Sequence, residues 1–288
     1  MTQPSGQRGM RRAIVILPGA FTSGNLFFGI WSIVEAARGD FIRASWLIVV
    51  AAIMDTLDGR IARMSRTGTQ FGAEMDSLVD AISFGVAPAL LVYFHTFGGR
   101  EWSWVLCFLY ILAAVLRLAR FNIEQAGHAK SQFFGLPSPA AGMTLATYFP
   151  FTQTPFFRDH LAGIWAWNTA LAFVVVGIAL LMVSHVPYPV WPKLGLKTWR
   201  GVLGIAYSLA VLAAAIWVPA YFFFPYGIAY ATFGIARAVF LGLQDRLPER
   251  DLLRDEDEDD SRQVDDEIAP QLLPFRVRKG HHKTGGTA

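Results

Sequence analysis

Apolar and polar positions alternate along this chain in long blocks, not residue by residue. Runs of roughly 20 predominantly apolar residues, the length a helix needs to cross a bilayer core, are separated by short polar or charged connections. The pattern predicts eight membrane-spanning helices, at 17–37, 41–59, 76–96, 102–121, 138–157, 162–185, 200–219 and 222–242. The second is short before it meets Asp55, and the fifth carries prolines near both ends. The fold class expected is therefore all-α: a polytopic membrane helix bundle.

Composition agrees. Hydrophobic residues make up 53% and charged residues 16% of the 288 positions, against about a quarter charged in a soluble domain. A soluble globular protein is thereby excluded. Cys107 is the single cysteine, so no intrachain disulfide framework is possible. Arg8, Arg11 and Arg12 precede the first apolar run as in a signal peptide, but that run lacks a small-x-small cleavage site and continues into "GNLFFGIW", so retention is expected. "GIAY" recurs at 204–207 and 227–230, which small helix-packing residues explain.

Charge distribution supplies an orientation. With eight spans and a cytoplasmic N-terminus, 21 of the 25 Lys and Arg residues fall inside, leaving Arg38, Arg43, Arg100 and Arg158 outside. Both termini, and the connection around residues 55–80, are then cytoplasmic. After Leu243 the chain turns acidic and then basic, a composition expected to be disordered. His281 and His282 are expected to be ordinary polar residues of that tail.

One polar connection does not look like a solvated loop. "DTLDGRIARMSRTGTQFGAEMDSLVD", residues 55–80, places Asp55 and Asp58 three apart and Asp76 and Asp80 four apart. On a helix each pair shares a face. The Ser, Thr and Gly of "MSRTGTQ" between them make a turn, so two helix ends can bring four carboxylates together. Two carboxylates about 5 Å apart repel by roughly 3 kcal/mol at an effective dielectric near 20. Four therefore require protonation, separation or cations. All-oxygen ligands suit Mg²⁺ or Mn²⁺, and two such ions would balance four aspartates. Those ions favour a phosphate-bearing substrate. Arg63 returns to roughly the face of Asp55 and can complement phosphate, while Gly59 and Ala62 leave room for a ligand.

The same residues carry a resemblance. Asp55, Asp58, Gly59, Ala62, Arg63, Gly72, Asp76 and Asp80 match, without gap or substitution, the pattern Asp-x2-Asp-Gly-x2-Ala-Arg-x8-Gly-x3-Asp-x3-Asp of the CDP-alcohol phosphatidyltransferases. The resemblance implies transfer of a phosphatidyl group from CDP-diacylglycerol to an alcohol, with release of CMP. It implies that Asp55, Asp58 and Asp76 hold divalent metal and the diphosphate. It makes Asp80 a metal ligand that also deprotonates the alcohol. Gly59, Ala62 and Gly72 would lie under the cytidine and Arg63 near phosphate. Where the family often has Pro-Asn-x-x-Thr, this chain reads Pro18 to Thr22 without the Asn, leaving Thr22 and the nearby Asn25 for the nucleotide.

"SGNLFFG" at 23–29, "RLARFN" at 117–122 and "FFGLPSPAAG" at 133–142 further resemble the membrane-integral phosphatidylserine synthases within that family. L-serine is accordingly the expected acceptor, with Arg117, Arg120, Asn122 and Ser138 around it. Arginine offers a bidentate partner for a carboxylate. Other acceptors, namely choline, glycerol 3-phosphate or an inositol compound, stay open, as does a divalent-cation transporter. The resemblance also implies a six-helix core and a homodimer in the lipid bilayer of a bacterial cell, with no nucleic-acid partner. The organisation expected is a cytoplasmic segment 1–16, a catalytic core 17–185, an additional helix pair 186–243 and a charged tail 244–288.

Overall fold

The computed structural model describes residues 5–65, 70–98, 101–126, 135–164, 166–186, 188 and 199–240, the side chains of 5–18, 62–65, 70, 124–126 and 200 excepted. These residues belong to one compact unit; the charged tail beyond Gln244, with His281 and His282, lies outside them. All regular structure among the described residues is helical.

The first two helices, α1 (Ser5–Ala37) and α2 (Phe41–Ser65), form a hairpin and pack along each other more extensively than any other pair. Ala44, Ile48, Ala51 and Ala52 recur at helical spacing on α2 and are buried in that contact. The Asp40 carboxylate caps α2 by accepting the Arg43 backbone N–H at 3.1 Å.

The next helix, α3 (Gln70–Asp80), passes without a break into a π-helical stretch, Ala81–Val86, then α4 (Ala87–Val92) and a second π-helical stretch, Tyr93–Phe97. Pro88 has no N–H to offer the Phe84 carbonyl four residues back. The fully buried Tyr110 hydroxyl donates to that carbonyl at 2.9 Å instead. Wide turns of this kind are frequent beside functional sites, and this one begins at the residue after Asp80.

The remaining helices are α5 (Ser103–Ala126), α6 (Ser138–Ala146), α7 (Tyr148–Thr152), α8 (Trp167–Val183), α9 (Trp199–Trp217) and α10 (Pro219–Phe240). The fifth predicted span is not one helix. Pro150 cannot donate to the Ala146 carbonyl, and the chain turns at Thr147 between α6 and α7. It then continues past Pro155 into a short π-helical stretch, Phe157–Leu161. The sixth predicted span is correspondingly shorter, 17 residues in α8.

Among the described residues, two helices are long and apolar enough to cross a membrane, Phe71–Phe97 and Ser103–Ile123, while Trp167–Val183 and Gly201–Trp217 are shorter apolar helices. Helix α10 reaches α6 closely because Gly227 lies against Thr144; two turns on, Gly234 lies against Tyr188 beyond α8, and a Cβ at either would collide.

Candidate active site

Three helices supply the site. Thr22 and Asn25, three apart on α1, share a face and point at the aspartates of the two following helices. The Thr22 hydroxyl donates to Asp58 on α2. The Asn25 amide donates to Asp80 on α3 at 3.1 Å. Asn25 is held in turn by Ser83, whose hydroxyl donates to the Asn25 backbone carbonyl at 3.1 Å. The Asn25 side-chain oxygen is buried with no hydrogen-bond partner. Ser83 was not singled out in the sequence; its signal was a lone hydroxyl in the apolar run "AISFGVAPALL".

Carboxylate oxygens from Asp55, Asp76 and Asp80 all lie within 4.8 Å of one another. Asp58 is buried beside them, and its charge reaches Asp76. The charges of Asp55 and Asp76 bear on Asp80, and the Arg117 guanidinium opposes them. At this separation each carboxylate pair repels by about 3 kcal/mol at an effective dielectric near 20. A donor set made only of hard oxygens, crowded this closely, fits a hard divalent cation. Asp55, Asp76 and Asp80 could hold it directly.

A second group comes from the end of α5. Arg117 donates to Ser138 Oγ at 2.8 Å. Ser138 is brought there by the strap before α6. Gly135 (φ 79°) donates its N–H to the Val186 carbonyl and Leu136 to the Leu181 carbonyl. A side chain at Gly135 would meet the Met182 carbonyl as well as an unfavourable backbone region. Arg120 is elsewhere: it donates to the Val183 carbonyl at 2.9 Å, satisfying the C-terminal end of α8. Asn122 accepts from Ser77 at 2.8 Å and donates to Glu74 at 3.3 Å, tying α5 to α3. The four residues expected around an acceptor are therefore split. Arg117, bonded to Ser138, is within electrostatic reach of Asp80; Arg120 and Asn122 brace neighbouring helices. Gly59 and Gly72 are exposed on α2 and α3. Ala62 and Arg63 lie in α2, but their side chains are outside the described residues.

The family model for CDP-alcohol phosphatidyltransferase matches residues 15–183, which include every aspartate of the site. The chain belongs to that family. Among its curated relatives, the CDP-diacylglycerol–serine O-phosphatidyltransferase of Helicobacter pylori is 32% identical over 79% of this chain and 93% of its own length. The enzyme of the same name from Mycobacterium tuberculosis is 35% identical, covering 75% of this chain and 77% of its own. The archaetidylserine synthase of Methanothermobacter thermautotrophicus is 34% identical over 65% of this chain and 75% of its own length.

Proposed function

We propose that this protein is a CDP-diacylglycerol–serine O-phosphatidyltransferase, converting CDP-diacylglycerol and L-serine to phosphatidylserine and CMP. The observation that carries this is the meeting of two unlike groups: three carboxylates within 4.8 Å of one another, and the Arg117–Ser138 pair whose charge reaches Asp80. The first suits a nucleotide diphosphate held through cations. The second suits the carboxylate of an amino acid. Membership of the family and the names of the relatives agree.

In this reading the serine hydroxyl oxygen attacks the phosphorus of the phosphatidyl group. The bond to the CMP oxygen breaks, and the serine proton goes to the Asp80 carboxylate. Asn25 holds Asp80 in place by its 3.1 Å hydrogen bond. Thr22 does the same for Asp58. Two divalent ions, Mg²⁺ or Mn²⁺, held by Asp55, Asp58, Asp76 and Asp80, would supply charge neutralisation for the diphosphate and the departing CMP phosphate. Gly59, Ala62, Arg63 and Gly72 line the nucleotide. Serine's carboxylate goes to Arg117. Arg120 and Asn122 support that end of α5, since both side chains are engaged with neighbouring helices.

The same reading places the protein in a bacterial cell membrane as a homodimer of eight-span chains, a six-helix core plus α9 and α10, with the aspartates and both termini on the cytoplasmic side. Large apolar side chains turned outward, Phe173, Leu180, Leu209 and Ile216 among them, support a lipid-facing surface. Arg117 argues against cation transport, because it opposes a passing ion at the same carboxylates.

The test is CMP release by the purified protein given CDP-diacylglycerol, Mg²⁺ or Mn²⁺, and one alcohol at a time. Serine-dependent CMP is expected. Release dependent on choline, glycerol 3-phosphate or an inositol compound, and not on serine, would reassign the acceptor.

A further inference from the structure

The helix pair α9–α10 lies apart from the three helices that carry the aspartates and their hydrogen-bond partners Thr22 and Asn25, yet it borders space next to them. Helices α6, α9 and α10 surround a cavity of about 460 Å³, within the range of about 300–1,000 Å³ usual for small-molecule pockets. Its walls are apolar, formed by side chains such as Met143, Leu212, Ala215 and Phe222. The polar groups on its lining are Arg60 of α2, Thr144 of α6, Ser208 of α9 and Tyr226 and Tyr230 of α10, and Arg60 is the cation among them. Tyr230 lies within electrostatic reach of Arg117, and Arg117 bonds Ser138 at the first residue of α6. The following turn of α6, at Ala140, Met143 and Thr144, lines the cavity. The cavity therefore starts beside the active site and runs away from it. On α10 the step of eight positions from Tyr230 to Phe222 gives it a length of about 12 Å at 1.5 Å per residue.

An elongated, largely apolar space with an arginine on its lining matches an amphiphile with an anionic head. Arg60 is exposed and has no ion-pair partner among the described residues, so its guanidinium is available to phosphate or ester oxygens. We propose that this cavity holds one acyl chain of the CDP-diacylglycerol donor, which makes α9 and α10 a wall of the lipid site instead of an appendage to the core. The inference rests on the donor assigned above. It gives Gly227 a purpose: only a glycine lets α10 approach Thr144 closely enough to close the cavity on that side.

The experiment uses the full-length protein in nanodiscs and a CDP-diacylglycerol analogue with a diazirine near the end of one acyl chain. After illumination, the labelled peptides are mapped by mass spectrometry. Label is expected on the stretches containing Met143, Ala215 and Phe222, and excess unlabelled CDP-diacylglycerol should suppress it while phosphatidylcholine does not. Label confined to outward-facing residues such as Phe173 and Leu180, or unaffected by competitor, overturns the proposal. Ala215→Trp, which fills the cavity, should lower kcat/KM for a dioleoyl donor by about tenfold or more. A dioctanoyl donor should be affected much less, and equal losses on both donors would count against the groove. The two readings can fail separately. A protein that labels in the groove but releases no CMP with serine keeps the lipid site and loses the proposed reaction. One that turns over serine but labels elsewhere keeps the reaction and loses the groove.

Discussion

The α1–α2 hairpin carries acidic residues at both ends, and the two ends treat them differently. Near the turn, Glu35 is a buried acid with only 5% of its side chain exposed. It accepts the Trp31 indole N–H at 2.9 Å, faces Arg38 at 3.4 Å and Arg43 at 3.5 Å, and Asp40 faces Arg43 as well. That end is balanced by its own arginines. At the other end Asp55 and Asp58 of α2 meet Asp76 and Asp80 of α3. The side chains that hold Asp58 and Asp80 are a hydroxyl and an amide, which orient a carboxylate without cancelling its charge. An acid that only supports the fold is matched with cations, as Glu35 is. Acids gathered and oriented while their mutual repulsion persists are kept for a charge that arrives with the ligand.

The largest effect that separates the ends is expected at Asp80. Asp80→Asn should lower serine-dependent CMP release by about 10²–10⁴-fold, the range for losing a positioned general base. Its thermal midpoint should not fall, because one repulsive partner has gone. Glu35→Gln should do the reverse, lowering the midpoint while the folded fraction keeps its turnover. Full activity in Asp80→Asn would remove the base assignment. Chelation belongs to the same comparison: EDTA should abolish CMP release and added Mg²⁺ or Mn²⁺ restore it, without loss of helical circular dichroism.

The next effect tests the neutral partners. Thr22→Val and Asn25→Ala remove groups that orient Asp58 and Asp80. Loss of such outer partners typically weakens metal affinity or activity by about 10–100-fold. The discriminating readout is the Mn²⁺ concentration at half-maximal rate, which should rise in both variants and recover in Thr22→Ser. A fall in rate with no change in metal dependence would assign these residues to the nucleotide alone.

The aspartate site was legible because its grammar is local. Spacings of three and four define a helix face whatever surrounds it, so both carboxylate pairs could be read from the chain. Thr22 and Asn25 stood out only by resemblance, as nucleotide contacts. That they reach across to Asp58 and Asp80 depends on how α1 packs on α2 and α3, which no spacing encodes. The arginines show what spacing leaves open. Arg117 and Arg120 are also three apart, yet one turns to Ser138 and the other to Val183, because the carbonyls at the end of α8 need a donor. The fifth predicted span shows the same limit. Its prolines announced a disturbance, but the turn falls at Thr147, where Pro150 withholds an N–H from the turn before it. Apolar runs and helices need not coincide: among the described residues two helices, Phe71–Phe97 and Ser103–Ile123, are both long and apolar enough to cross a membrane, whereas α2, at 25 residues, is long but carries the charged residues of the site.

The split between the arginines gives a third prediction. Charged hydrogen bonds contribute about 1.5–3 kcal/mol each. Arg117→Ala should therefore raise the KM for serine by about 10–100-fold, with a much smaller change in the KM for CDP-diacylglycerol. Arg120→Ala should leave the serine KM nearly unchanged and lower the thermal midpoint, since what it loses is the tie to α8. A raised serine KM in Arg120→Ala would mean that its bond to Val183 gives way when serine binds.

The smallest effect is expected back at the turn. Arg43 is 59% exposed, and its contacts with Glu35 and Asp40 are both 3.5 Å long. Pairs so exposed usually contribute about 0–1 kcal/mol. Glu35 keeps Trp31 and Arg38 when Arg43 is removed, so its buried charge is not stranded. Arg43→Ala should accordingly lose less than about 1 kcal/mol of stability by denaturant titration and leave CMP release unchanged. A loss of about 3 kcal/mol or more, the size associated with breaking a buried pair, would mean that Glu35 depends on Arg43 alone. The turn end would then be strained in its own right, and its balance could no longer serve as the reference against which the aspartates are judged.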